Sequence, residues 1–460
     1  MKPSHITLIA ATVSVILAIP LSGLPARASD RLCDSRRATL VGTDRADDLT
    51  GTRGDDVIVA LGGDDLIEGL GGDDVVCSGD GFDFVTGGKG KDRLLGGPGD
   101  ETLKGGAGHD SLLGNSGSDF LTGGTGDDVL RAGPSGEPFF DDLMGGPGDD
   151  ILDGGSGLDR VLFFDSKQGV EVDLGVGTAI GDGDDDLTSI EGAVGSNFDD
   201  MLVGTDIGNG LSGGAGDDTL RGLGSGTLES GSDLLFPGAG EDNVQGGGGF
   251  DFISFDGGCF VTLDLGAGTA TGEGDDTVED VEGAFGSDCE DTLIGDGGDN
   301  AFVGGPGDDT IDGAGGEDTA IYLFTLGPVV ANLETGIARG EDRLGQPGPG
   351  ADGLSDIENL WGSSLGDLLV GDDRSNDLLG LWGRDSITGG AGNDLLDGGD
   401  GNDRLDGSLG FDTCFGEFTL GCESEGAATG ARAEQRINGS TRGSIWVWSR
   451  RRTLSSARAL

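Results

Sequence analysis

The chain has 460 residues, 99 of them Gly, with 85 acidic side chains against 27 Lys and Arg and a formal net charge of −58. Hydrophobic residues make up 34% and aromatics 5%, too few large side chains for the core of a conventional α/β enzyme. Such a surface repels phosphate backbones and anionic lipid headgroups and attracts cations, which argues against nucleic acid as a partner.

Residues 1–28 read as a cleaved signal peptide. The stretch starts with basic Lys2, runs apolar from Ile6 to Ile19, meets Pro20 and ends on Ala26-Arg27-Ala28, the small-x-small pattern that signal peptidase cuts. The apolar run is shorter than the roughly 20 residues a membrane span needs, and no later segment is apolar enough to cross a bilayer. An exported, extracellular chain is expected. Six cysteines without a Cys-x-x-Cys pair fit an oxidising compartment. The expected bridges are Cys33–Cys77, Cys259–Cys289 and Cys414–Cys422, with other pairings formally open.

From Gly42 to Arg131 the chain divides into consecutive nonamers without a gap, such as Gly87-Gly88-Lys89-Gly90-Lys91-Asp92-Arg93-Leu94-Leu95. Further nonamers fill 145–162, 195–221, 237–254, 286–321 and 362–415. Position six is Asp except at Glu101, Asn209, Asn300 and Asn376, and position eight is always apolar, as at Ile58, Ile67, Val76 and Leu94. Glycine permits the backbone angles of a tight loop over positions one to six. Positions seven to nine make a short strand with one inward side chain. One nonamer cannot bury that side chain alone, so the units must stack. The fold expected is all-β: a parallel β-roll or β-solenoid, two nonamers per turn, with inserted β excursions. Collagen would need a period of three, which is absent.

The motif Gly-Gly-x-Gly-x-Asp-x-apolar-x resembles the calcium-binding nonapeptide of the haemolysin-type (RTX) repeat family. That resemblance implies a parallel β-roll with calcium ions between its loops. The residues agree on independent grounds. Stacked position-six carboxylates would lie roughly 4.8 Å apart and repel unless protonated or bridged by a cation. Calcium takes oxygen ligands in flexible geometry, whereas zinc would want His or Cys. The candidate ligands are Asp47, Asp56, Asp65, Asp74, Asp83, Asp92, Asp110, Asp119 and Asp128 in the first block, then Asp150 and Asp159, Asp200 and Asp218. Asp291, Asp309 and Asp318 follow, and Asp367, Asp385, Asp394, Asp403 and Asp412 complete the set. Pairing nonamer n with n + 2 sets Asp56 opposite Asp74 and Asp74 opposite Asp92. Glu101 interrupts this series. The acidic position-five residues Asp55, Asp64, Asp73 and Asp127 are expected to be merely solvated.

Three spacers, 163–194, 255–285 and 322–361, share one plan. Each has an apolar extended run, a Val-rich strand, an acidic turn and a close on Ile190-Glu191, Val281-Glu282 or Ile357-Glu358. They are expected to be β excursions packed on the roll. The organisation is therefore a signal peptide at 1–28, a repeat block at 29–162, and spacer-plus-block units at 163–254, 255–321 and 322–422. Residues 423–460, with Arg450-Arg451-Arg452, form a basic tail expected to be disordered, and Asn438-Gly439-Ser440 is a glycosylation sequon by pattern alone.

Catalysis finds little support. His5 leaves with the signal peptide and His109 sits at position five of a repeat, so a multi-histidine metal site is excluded. Ser29 to Leu40 offers no room for the catalytic domain that relatives place before such repeats. The reading is a secreted, non-enzymatic calcium-binding scaffold or adhesion module whose folding follows extracellular calcium. The alternatives are a module binding glycan or cell wall through Trp361 and Trp382, and a polysaccharide-modifying enzyme on a β-solenoid.

Overall fold

The computed structural model describes residues 32–134, 140–224, 231–255, 257–340, 350–422 and 424–426. The signal peptide and the sequon lie outside these residues, as do residues 427–460 of the tail. The described chain is all-β, a parallel β-solenoid of about 20 turns. Successive strands alternate between two sheets. One sheet starts at Asp48–Thr50, Leu66–Gly71 and Phe84–Lys89; the other starts at Leu40–Val41, Val57–Gly62 and Val75–Asp80. Register follows the period of two nonamers: Leu103 stands opposite Val85 on one side and Leu121 on the other.

That register stacks the position-eight side chains into two facing columns. Ile67, Val85, Leu103 and Leu121 come from one sheet, Ile58, Val76, Leu94, Leu112 and Leu130 from the other, and all are buried in one continuous core. Each nonamer thus contributes one aliphatic side chain, worth roughly 1.5–3 kcal/mol on burial. No turn holds enough core to stand alone, so neighbours must supply the rest.

The spacers do not pack on the outside of the roll. Each builds extra strands into one sheet. Glu171–Asp173 turns back into antiparallel Thr178–Ile180, which pairs antiparallel with Asp184–Thr188. The outer members of this trio rejoin the parallel array, Asp184–Thr188 against Ile151–Ser156 and Glu171–Asp173 against Met201–Val203. The second and third spacers repeat the arrangement with Thr262–Asp264 and Val329–Asn332. The Val-rich strands were legible; their place inside the sheet was not, because alternation marks a strand without naming its neighbour.

The three bridges are Cys33–Cys77, Cys259–Cys289 and Cys414–Cys422. The first ties the N-terminal hairpin of Leu32–Cys33 and Arg36–Arg37 to the sheet, where Cys33 packs on Val59 and Val75. Replacing one core residue should have a local and graded effect. Leu112→Ala is expected to destabilise the calcium-saturated protein by about 2–5 kcal/mol, read as a lowered midpoint in chemical denaturation. Glycine in place of exposed Phe82 should leave the midpoint nearly unchanged.

Candidate metal centre

Position six is buried almost throughout: Asp65, Asp74, Asp83, Asp92, Asp110, Asp119 and Asp128 are each no more than 2% exposed. Each carboxylate uses one oxygen to hold the backbone of the loop one turn earlier. The Asp56 N–H donates to Asp74 Oδ1 at 2.7 Å, Asp74 N–H to Asp92 Oδ1 at 2.9 Å, and Asp92 N–H to Asp110 Oδ1 at 2.8 Å. The n to n + 2 pairing therefore holds, but its first duty is capping a buried amide. Position five adds a second rail of opposite sense, not merely solvated charge. Asp73 N–H donates to Asp55 Oδ1, and Phe82 N–H to Asp64 Oδ1.

The other oxygen is left over. Oδ2 of Asp65, Asp74, Asp83, Asp92, Asp110, Asp119, Asp128 and Asp150 is buried without a hydrogen-bond partner, as are those of Asp218, Asp309, Asp318, Asp385, Asp394 and Asp403. Where position one is glycine, as in most of these loops, the oxygen faces it. A Cβ on Gly105 would stand 2.5 Å from Asp110 Oδ2 and 2.7 Å from the carbonyl oxygen of Gly123 in the next loop of that edge. In the many loops with glycine at position one, the absent side chain leaves room for an oxygen-lined cradle; Ala60, Ser78 and Pro237 take that position in the loops of Asp65, Asp83 and Asp242. Among the described residues no three His, Cys, Asp or Glu side chains converge as a metal cluster. A cation here would therefore draw on one carboxylate per loop and on main-chain carbonyls, a hard-oxygen donor set that fits calcium and offers nothing to zinc.

The loops are of two kinds. In those with the unpartnered Oδ2, position two commonly lies in the left-handed region, as at Leu70 (φ 76°), Gly88 (φ 115°) and Asn115 (φ 80°). In the others, position two keeps a negative φ and its N–H donates to the position-six side chain of the same loop. Thr52 N–H reaches Asp56 Oδ2 at 2.6 Å, Ser196 reaches Asp200 at 2.5 Å, Ser287 reaches Asp291 at 2.5 Å and Ser363 reaches Asp367 at 2.6 Å. Asp47 is held likewise by Thr43.

The ladders include carboxylates that the nonamer count passed over. Asp141, Asp185, Asp233, Asp276 and Asp352 accept the N–H of Asp119, Asp150, Asn209, Asp242 and Asp309. Asp242 and Asp251, position-six residues of the 237–254 pair, do the same for Asp218 and Asp233. Insertions or spacers shift the first five out of period. Each still precedes an inward apolar residue by two positions, as in Asp185-Asp186-Leu187 and Asp276-Thr277-Val278, and that signal was available. Four of the ladders end on a glutamate: Glu191, Glu282, Glu358 and Glu417 accept the N–H of Asp159, Asp251, Asp318 and Asp403.

The model of the RTX calcium-binding nonapeptide repeat matches residues 41–76, 78–100, 95–130, 135–162, 229–258, 285–320, 361–390 and 379–414, more than half of the chain. The chain belongs to the RTX calcium-binding repeat family. No curated protein matches it. Calcium binding by these repeats agrees with the buried Asp ladder, and Asp74, Asp92, Asp110 and their equivalents would hold the ion. Bound there, it would supply the positive charge that the stacked carboxylates lack.

Without that charge the RTX ladder favours protons. Burial is the first cause that raises Asp74, Asp92, Asp110 and Asp128 to about 6, with neighbouring carboxylates adding to it. Burial takes Asp141, Asp233 and Asp385 to about 8. At Asp56 burial also pushes upward, but hydrogen bonds from Thr52 and Thr39 outweigh it and leave the group below its ordinary value.

An unfolded Asp titrates near about 3.9, so between that value and about 8 the metal-free fold binds more protons than the unfolded chain. Its stability is then greatest in acid and declines as pH rises. In chelator, thermal unfolding is expected at higher temperature at pH 5 than at pH 8; an equal or higher transition at pH 8 would count against a proton-favouring ladder.

Proposed function

We propose that this RTX protein is exported and works outside the cell as a non-enzymatic scaffold or adhesion module, folded by the calcium it meets there. The column of buried, unpartnered Asp Oδ2 atoms carries the reading. In the cytosol such a column is a stack of uncompensated charge. At the roughly millimolar calcium that extracellular modules are tuned to, binding energy becomes folding energy. The leader pattern at 1–28 and the three bridges support export.

The one histidine of the mature chain supports a structural role. His109 Nδ1 accepts the N–H of Asp127 at 2.8 Å, which ties one exposed loop to the next. Trp361 and Trp382 are half-buried with Leu323 against Leu379 and Leu381. That packing favours a scaffold over the free aromatic platforms that a glycan-binding face would present. Expression of the full chain in a secreting host provides the test. A mature form starting at residue 29, disulfide-bonded and giving rod-like small-angle scattering in calcium, is expected. Retention inside the cell, or the same scattering with calcium and with chelator, would contradict the proposal.

A further inference from the structure

The repeats divide into loops that need a cation and loops that satisfy themselves, and the second kind is not scattered. Eight loops have a position-two N–H bonded to their own position-six side chain: Thr43 to Asp47, Thr52 to Asp56, Ser196 to Asp200, Thr205 to Asn209, Ser287 to Asp291, Asp296 to Asn300, Ser363 to Asp367 and Asp372 to Asn376. These are the first two loops of the array and the first two after each spacer, one for each edge of the roll.

We infer that calcium is excluded from these eight loops, so that the RTX array is loaded as four separate tracts on each edge, each starting from a metal-free turn. The oxygen facing position one is not free here: a Cβ on Gly195 would stand 2.3 Å from Asp200 Oδ2, and that same oxygen accepts the Ser196 N–H, as Asp291 and Asp367 Oδ2 accept those of Ser287 and Ser363. A cation drawing on that oxygen would meet the donor's positive hydrogen beside it or leave the amide unpaired.

A second observation is independent of that geometry. All three neutral replacements at position six, Asn209, Asn300 and Asn376, fall within the eight. The structure explains the choice at each edge. Asn209, Asn300 and Asn376 accept one N–H through Oδ1 and donate Nδ2 to the carbonyls of Glu191, Glu282 and Glu358, the residues that close the preceding tract. On the opposite edge, Asp200, Asp291 and Asp367 accept two N–H groups, the second from Val170, Val261 and Val329. That task needs two oxygens, and there the residue is Asp. Hydrogen bonding, not charge, decides the side chain.

Position two is the switch. Ser, Thr and Asp stand there in the eight, none with positive φ. Gly and Asn, which accept the left-handed region at little cost, occupy position two in many of the cation-type loops.

The inference rests on the calcium reading above, and the test separates the two. Bound calcium per full-length chain is counted by equilibrium dialysis in saturating calcium, with circular dichroism to confirm folding. Asp56→Asn keeps its own-loop acceptor and can turn Nδ2 to the Thr39 hydroxyl, which now donates to Asp56 Oδ1 at 2.9 Å. Asp74→Asn keeps the acceptor for Asp56 N–H but replaces the unpartnered oxygen by an NH2 group. The expected result is an unchanged ion count for Asp56→Asn and a loss of at least one ion for Asp74→Asn. Asp47→Asn and Asp92→Asn provide the same contrast on a second pair of loops, should either first variant fail to fold. Equal losses from both kinds of loop, or none from either, would overturn the inference while leaving calcium binding intact. A wild-type chain that binds no calcium would overturn both.

Discussion

Everything in this molecule depends on placing ionisable carboxylates in a dry, repeating column. One inward aliphatic residue per nonamer makes a thin core, and the position-six ladder runs beside it along both edges. One oxygen of each Asp is indispensable to the fold, because it caps an amide that no strand partner reaches. The other is a liability until a cation arrives. The same side chain thus stiffens the backbone and makes the folded state conditional. Neither role could be played by a hydrophobic residue, and only one of them by Asn.

The glycines are placed to serve that arrangement. Position one is glycine in most loops, where a Cβ would press on both its own Asp and the carbonyl of the next loop, as at Gly105. Position four, as at Gly90 with φ 125°, turns the chain through a left-handed angle and brings its backbone against the loop below. High glycine content and high acidity, which look like two compositional oddities, are two halves of one oxygen-lined site.

Much of this was legible in the residues. The period of nine dictates stacked short strands, the inward residue at position eight dictates the core, and the n to n + 2 relation gives the register of Asp56 with Asp74. All three bridges join the cysteine pairs expected. What escaped was set by hydrogen-bond direction and by register. Asp185, Asp276 and Asp352 lie in acidic turns outside the nonamer count, yet the hairpin insertion returns them to the ladder. Asp47, Asp56, Asp200, Asp291 and Asp367 look like their neighbours in composition. The backbone at position two shows that their second oxygen already has a donor, and the Ser or Thr standing there is the trace it leaves in the sequence. Spacer glutamates such as Glu191 read as part of an acidic stretch, whereas in space each closes a ladder.

The central claim, that a cation completes this fold, is tested most directly by far-ultraviolet circular dichroism of the bridged chain at neutral pH. Calcium is titrated into chelated protein, with magnesium as the control. The account predicts an incomplete β signal in chelator and a cooperative gain with calcium alone, since magnesium demands a tighter octahedron and releases its water reluctantly. A full β signal in chelator, unmoved by calcium, would contradict it.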